Sequence, residues 1–183
     1  MAEVSGPELG GVVPAEVIAA HPLLGHLSGE LRGALSERVK VRQLIPGEAI
    51  TREGSTATRW YVLVEGLVRV SRTRPDGGQE VLGRLKPGAL FGCMGVCDGQ
   101  PRSSTTAAIG PSRCLEFPAD LLLGAPRTLE GRLSLALRAV LAVAMNMQLR
   151  AANQRLYVIG RRMFGESTAE YVKETEGGWV QPD

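Results

Sequence analysis

Arg102 is followed by Ser103, Ser104, Thr105 and Thr106 and preceded by Gly99-Gln100-Pro101, so one fixed positive charge stands beside a string of hydroxyls. The whole stretch Phe91–Thr106 reads FGCMGVCDGQPRSSTT: a glycine-opened turn, a short helical-looking run, a Gly-Gln-Pro break and then the arginine. Backbone N–H groups, a guanidinium and small hydroxyls presented towards one point are the components of a phosphate cradle. Cys93 stands in that cradle where a carboxylate would serve better, because a thiol is a poor hydrogen-bond acceptor. Cys93 and Cys97 are four residues apart, which on a helix places both sulfurs on one face. They make half a zinc site at most, since the only histidines, His21 and His26, lie far upstream. We expect no metal ligands and two thiols packed as small apolar groups. No nucleophile–base pair stands out, so no catalytic residue is assigned and the chain reads as a non-enzyme.

The elements that hold this stretch follow from pattern. The chain has 183 residues, 44% hydrophobic and 22% charged, the balance of a globular protein of one domain plus an extra element. Twenty-one Lys+Arg against nineteen Asp+Glu leaves a formal net charge of +2, too small to argue for nucleic acid or an acidic membrane as a bulk partner. Arg138, Asn146 and Gln148 interrupt the most apolar run, Leu133–Leu149, below the roughly 18–20 unbroken residues of a membrane span. An odd count of three cysteines points to a reducing compartment, and the expected location is the cytoplasm.

Residues 1–13 lack periodicity and read as a flexible lead. Pro14 opens a helical segment, and Ser28 caps a second helix with Leu31 and Leu35 on one face. From Val39 the period becomes two. Short strands are expected over Val39–Arg42, Glu48–Arg52, Trp60–Val64, Val68–Val70, from Val81, over Thr105–Ile109 and over Arg113–Phe117, separated by Gly and Pro turns such as Pro75-Asp76-Gly77-Gly78. That spacing predicts an antiparallel sandwich or small barrel, residues 14–126. Thr128 then caps a long helix, residues 127–160. Leu133, Leu137, Val140, Ala144, Met147, Ala151, Gln154 and Val158 form a heptad seam along it, with a second stripe at Leu141, Met145, Leu149, Ala152, Leu156 and Ile159. Two stripes need two surfaces: one is assigned to the chain's own barrel, the other to a partner helix, with Leu133, Leu137, Val140, Ala144, Met147 and Ala151 as the expected dimer interface. Residues 161–183 read as a tail. The arginines of the long helix are more simply a solvated face than a nucleic-acid surface.

HPLLGHLSGELRGAL, PGEAITREGS, YVLVEGLVRV, PDGGQEVLGRLKPGALFG and DGQPRSSTTA together resemble the cyclic nucleotide-binding domains of the cAMP receptor protein type, over Pro14 to about Ile159. The resemblance implies a mainly β fold: an antiparallel β-roll with N-terminal helices and a long C-terminal helix. It also implies a phosphate-binding cassette made of Gly92, Cys93, Met94, Gly95, Arg102 and Ser103, in which Arg102 pairs with the cyclic phosphate. Four departures follow. Cys93 replaces the family's glutamate, which receives a ribose hydroxyl. Met94-Gly95-Val96 replaces the usual Leu-Ala-Leu, and Gly95 is expected to loosen the cassette helix. Ala144 and Met145 fall where hydroxyl residues would contact adenine. Arg161–Asp183 is too short for a winged helix-turn-helix. The expectation is a stand-alone regulatory or adaptor protein that dimerises and acts through an unidentified protein partner, without membrane or nucleic acid and without ordinary cAMP as ligand. The alternative is a genuine sensor of a cyclic nucleotide, cyclic dinucleotide or other anion held by Arg102.

Overall fold

The structure, a computed structural model, describes residues 8–9, 13–125 and 127–164. Strands β1 (Glu8–Leu9), β2 (Lys40–Leu44), β4 (Arg59–Glu65), β7 (Leu90–Phe91) and β9 (Ser112–Pro118) form one antiparallel sheet in the order β1-β2-β9-β4-β7. The other sheet contains β3 (Ala49–Thr51), β5 (Val68–Thr73), β6 (Gln79–Leu85) and β8 (Thr105–Ala108), in the order β3-β8-β5-β6. Helices α1 (Ala15–Ala19) and α2 (Gly29–Ser36) precede the sheets, α3 (Met94–Asp98) interrupts them, and α4 (Leu129–Phe164) follows. The expected β-roll with N-terminal helices and a long C-terminal helix is what the chain forms. The described residues fall into two compact units, one up to Leu141, which holds both sheets, and one from Ala142 onward.

Alternation along the strands sorts the first unit's core into two faces. Leu44, Tyr61, Leu63, Phe91 and Cys114 lie on the inner face and pack with Ile50, Val68 and Ala108 of the second sheet. Trp60, Val62, Leu115 and Phe117 take the intervening positions and are equally buried, with Trp60 stacked on Phe117 at 3.9 Å between centroids. Both faces of the β4–β9 pair are therefore apolar, so the middle of β4 reads as a continuous run where a half-exposed strand would alternate.

Two boundaries differ from expectation. Glu8–Leu9, within the stretch read as a flexible lead, pairs with β2 through Glu8↔Arg42 and Leu9↔Val41. The long helix continues through Gly160 to Phe164, because a single glycine costs only about 1 kcal/mol against alanine and breaks no hydrogen bond; residues 165–183 of the expected tail lie outside the described residues. The caps behave as read: Leu31 N–H donates to Ser28 Oγ at 3.3 Å and Gly131 N–H to Thr128 Oγ1 at 2.9 Å.

His21 ties the helical segment to the turn that leads into β7. Its Nδ1 accepts from the N–H groups of Leu23 and Leu24, both at 3.2 Å, which leaves Nε2–H to donate to the Gly88 carbonyl at 3.0 Å. This is a neutral imidazole, and burial holds its pKa below the ordinary 6.5 despite the opposing pull of the Gly88 carbonyl. A base whose folded value is depressed stabilises fully above its unfolded value and loses that contribution as pH falls. Urea midpoints of the wild type should therefore drop as pH falls below 6.5, and the drop should shrink in His21→Asn. Parallel pH profiles for the two proteins would exclude His21 as the source.

Candidate functional site

The cassette begins where a strand leaves the sheet. β7 pairs with β4 only through Leu90↔Val62 and Phe91↔Tyr61, with the Tyr61 and Phe91 rings stacked at 5.2 Å. At Gly92 the chain turns out with φ +70°, and a Cβ there would sit 3.0 Å from Arg102 Nη1 and 3.3 Å from Tyr61 Cδ2. Conformation and space both require glycine. Cys93 then caps α3, with Cys97 N–H donating to its carbonyl at 3.0 Å, and the helix ends at Gly99 in the left-handed region.

That departure leaves the edge of β4 without a neighbour at its first residue. Ala119 N–H donates to the Thr58 carbonyl on the β9 side, whereas Leu63 exchanges hydrogen bonds with Ala89 and Gly88 on the β7 side. By the alternation of an antiparallel ladder, the Arg59 carbonyl also faces the β7 side, one step beyond the end of β7. Arg102 supplies the donor. Its guanidinium bonds to the Arg59 carbonyl at 2.6 Å and to the Gly92 carbonyl. Its main chain is held as well: Gly54 N–H donates to the Arg102 carbonyl, and Arg102 N–H to the Ser55 carbonyl, both at 2.8 Å. Arg102 is 4% exposed. A surface arginine after a proline turn is thus not what the chain contains; this cation is built into the cassette wall.

Cys93, at 2% exposure, lies beside it. Burial first, and then electrostatic repulsion from Cys97, push its thiol up to about 11, against the opposing influence of Arg102. At neutral pH it is an uncharged thiol, a weak donor and a weak acceptor. Cys97 is exposed, so the expectation of two thiols packed alike holds for Cys93 only. Gly95 also differs from its reading as a loosening residue. An added Cβ would fall 2.5 Å from the Gln100 carbonyl oxygen and 2.8 Å from the Ala57 methyl, so the glycine lets the cassette close tightly. Met94 is 52% exposed and Ser103 is exposed. The hydroxyls farther along are used in joining strands: Thr106 Oγ1 lies 2.8 Å from Thr51 Oγ1, and Glu53 N–H donates to Thr105 Oγ1 at 3.0 Å.

The helix seam divides in a way the spacing alone does not reveal. Leu133, Leu137, Leu141 and Ala144 are buried, Val140 is half-buried, and Met147 and Ala151 are exposed. Leu133, Leu137 and Ala144 are therefore not open to a partner, contrary to the interface expected from the heptads. Beyond Ala144 both stripes are exposed: Met147, Ala151 and Val158 of the seam, and Leu149, Ala152, Leu156 and Ile159 of the second stripe. By length and composition alone, Leu129–Met163 is long and apolar enough to cross a membrane, although polar residues interrupt its apolar run. Core helices of soluble proteins share that length and composition.

Residues 41–126 match the family model of the cyclic nucleotide-binding domain. The chain is similar to a cAMP-dependent protein kinase regulatory subunit of Mycosarcoma maydis, 35% identical over 89 residues, which is 49% of this chain and 17% of the relative. It is also similar to a CRP-like cAMP-activated global transcriptional regulator of Mycobacterium tuberculosis, 25% identical over 107 residues, covering 58% of this chain and 48% of the relative. The chain thus spans less than half the length of either curated relative. Among solved structures, the catabolite activator protein of Thermus thermophilus superposes with a TM-score of 0.62 at 28% identity, over 76% of this chain and 63% of that one. Residues 41–126 are a domain of the cyclic nucleotide-binding family, and Arg102 and Cys93 lie inside it.

Proposed function

We propose that this chain is a regulatory, non-enzymatic member of that family whose cassette does not take ordinary cAMP, and that it acts in the cytoplasm by dimerising and contacting another protein. The observation that carries the reading is Cys93: a buried, neutral thiol at the place where the resemblance puts a ribose-binding carboxylate. A lost hydrogen bond to a charged acceptor is worth about 1.5–3 kcal/mol, which is roughly ten- to a hundredfold in affinity. A thermal-shift panel tests it. Saturating cAMP should leave the transition unmoved, and an Arg102-dependent rise with cAMP would refute the reading.

The second reading keeps Arg102 as the anchor of a different cyclic nucleotide, a cyclic dinucleotide or another anion. It is favoured by the burial of Arg102 within the cassette. Stabilisation by cGMP or cyclic di-GMP, absent in Arg102→Ala, would select it.

For the dimer, the second stripe of α4 beyond Ala144 is the proposed surface, since Leu149 and Leu156 are 61% and 66% exposed. Leu149→Glu combined with Leu156→Glu is expected to give a monomer in sedimentation velocity runs where the wild type is a dimer. An unchanged mass would remove the stripe from the interface.

A further inference from the structure

The inner face of the first sheet carries three charges among its apolar side chains, and Glu48 joins them from the turn after β2. Arg59 and Tyr61 share a face on β4, Glu116 lies directly across from Tyr61 on β9, and Arg42 lies across from Cys114 on β2. Arg59 Nε is 3.0 Å from Glu116 Oε1, Arg42 Nη1 is 3.7 Å from Glu116 Oε2, and Arg42 Nη2 is 2.9 Å from Glu48 Oε1. Glu48 also accepts from Ile45 N–H at 3.1 Å, in the turn between β2 and β3. Arg42 and Glu116 are buried, and the charges of the group cancel. Desolvation offsets most of the Coulomb gain of such a network, so its net contribution to stability is small. Its contribution is geometric: charge-assisted bonds fix the residues that make them.

What it fixes is Arg59, whose carbonyl is the one that β7 leaves open and Arg102 fills. We propose that Glu116, backed by Arg42 and Glu48, is a positioning residue for the cassette. By clamping the Arg59 side chain it sets the Arg59 carbonyl that receives Arg102, and so couples the turn at Pro46-Gly47 to the anchor of the anion site. This holds whatever the cassette binds, and it is tested without ligand. In a Cys97→Ser background two thiols remain, Cys93 in the cassette and Cys114 in the sheet core, both buried. Iodoacetamide labelling of each is followed by mass spectrometry under native conditions. Glu116→Gln should raise the Cys93 rate about tenfold or more through local opening, with Cys114 unchanged. Arg59→Ala, which removes a partly exposed side chain, should do the same. Equal acceleration of both thiols, or none at Cys93 in either variant, would overturn the proposal, because the network would then serve only global stability or nothing at the cassette.

Discussion

Arg102→Ala should destabilise the ligand-free domain by about 3 kcal/mol or more in urea unfolding. The two bonds it removes are charge-assisted and part-buried, each worth about 1.5–3 kcal/mol, and their loss leaves the Arg59 and Gly92 carbonyls without this donor. Arg102→Lys should fall between, since an ammonium is a point donor and the fork that spans two carbonyls is lost. The expectation separates a structural arginine from one held only for a ligand. A change below about 0.5 kcal/mol, the ordinary range for a surface substitution, would show that the cassette wall stands without the guanidinium.

Cys93→Glu is the second large effect, and its two consequences have opposite signs. Without ligand the variant should be less stable, because a carboxylate enters a position that is 2% exposed. The Arg102 charge, already acting on this position, reduces that penalty. With cAMP present the same carboxylate gives the ribose a charged acceptor, and affinity should rise by roughly ten- to a hundredfold over the wild type. Adding Arg102→Ala to Cys93→Glu should erase the gain, because a ribose anchor without its anion anchor holds only half of the ligand. A variant that gains no affinity, although folded by circular dichroism, would place the obstacle elsewhere in the cassette.

Most of the β-roll was legible from turns and alternation. Pro75-Asp76-Gly77-Gly78 turns as a hairpin, with Arg74 N–H donating to the Gly78 carbonyl at 2.8 Å. β7 escaped notice because two residues, Leu90–Phe91, carry no period, and their pairing with β4 is set by long-range contacts. Arg102 and Cys93 could be singled out by residue type, but not what each does. That Arg102 closes the edge of a sheet depends on where β7 ends, and one sequence cannot place that point against β4. The charges of Arg42, Arg59 and Glu116 were visible at alternate strand positions; that they face inward follows only from the register of β2, β9 and β4. The α4 seam shows the opposite limit. Heptad spacing identifies apolar stripes, and burial of Leu133 and Leu137 of one together with Leu141 of the other shows that the chain itself covers the first part of both.

Isothermal titration of the wild-type protein with cAMP bears most directly on the reading that this cassette has its cation and lacks its ribose acceptor. No saturable heat into the high micromolar range is predicted, with Cys93→Glu titrated alongside giving a measurable isotherm. A micromolar isotherm for the wild type, lost on Arg102→Ala, would contradict it.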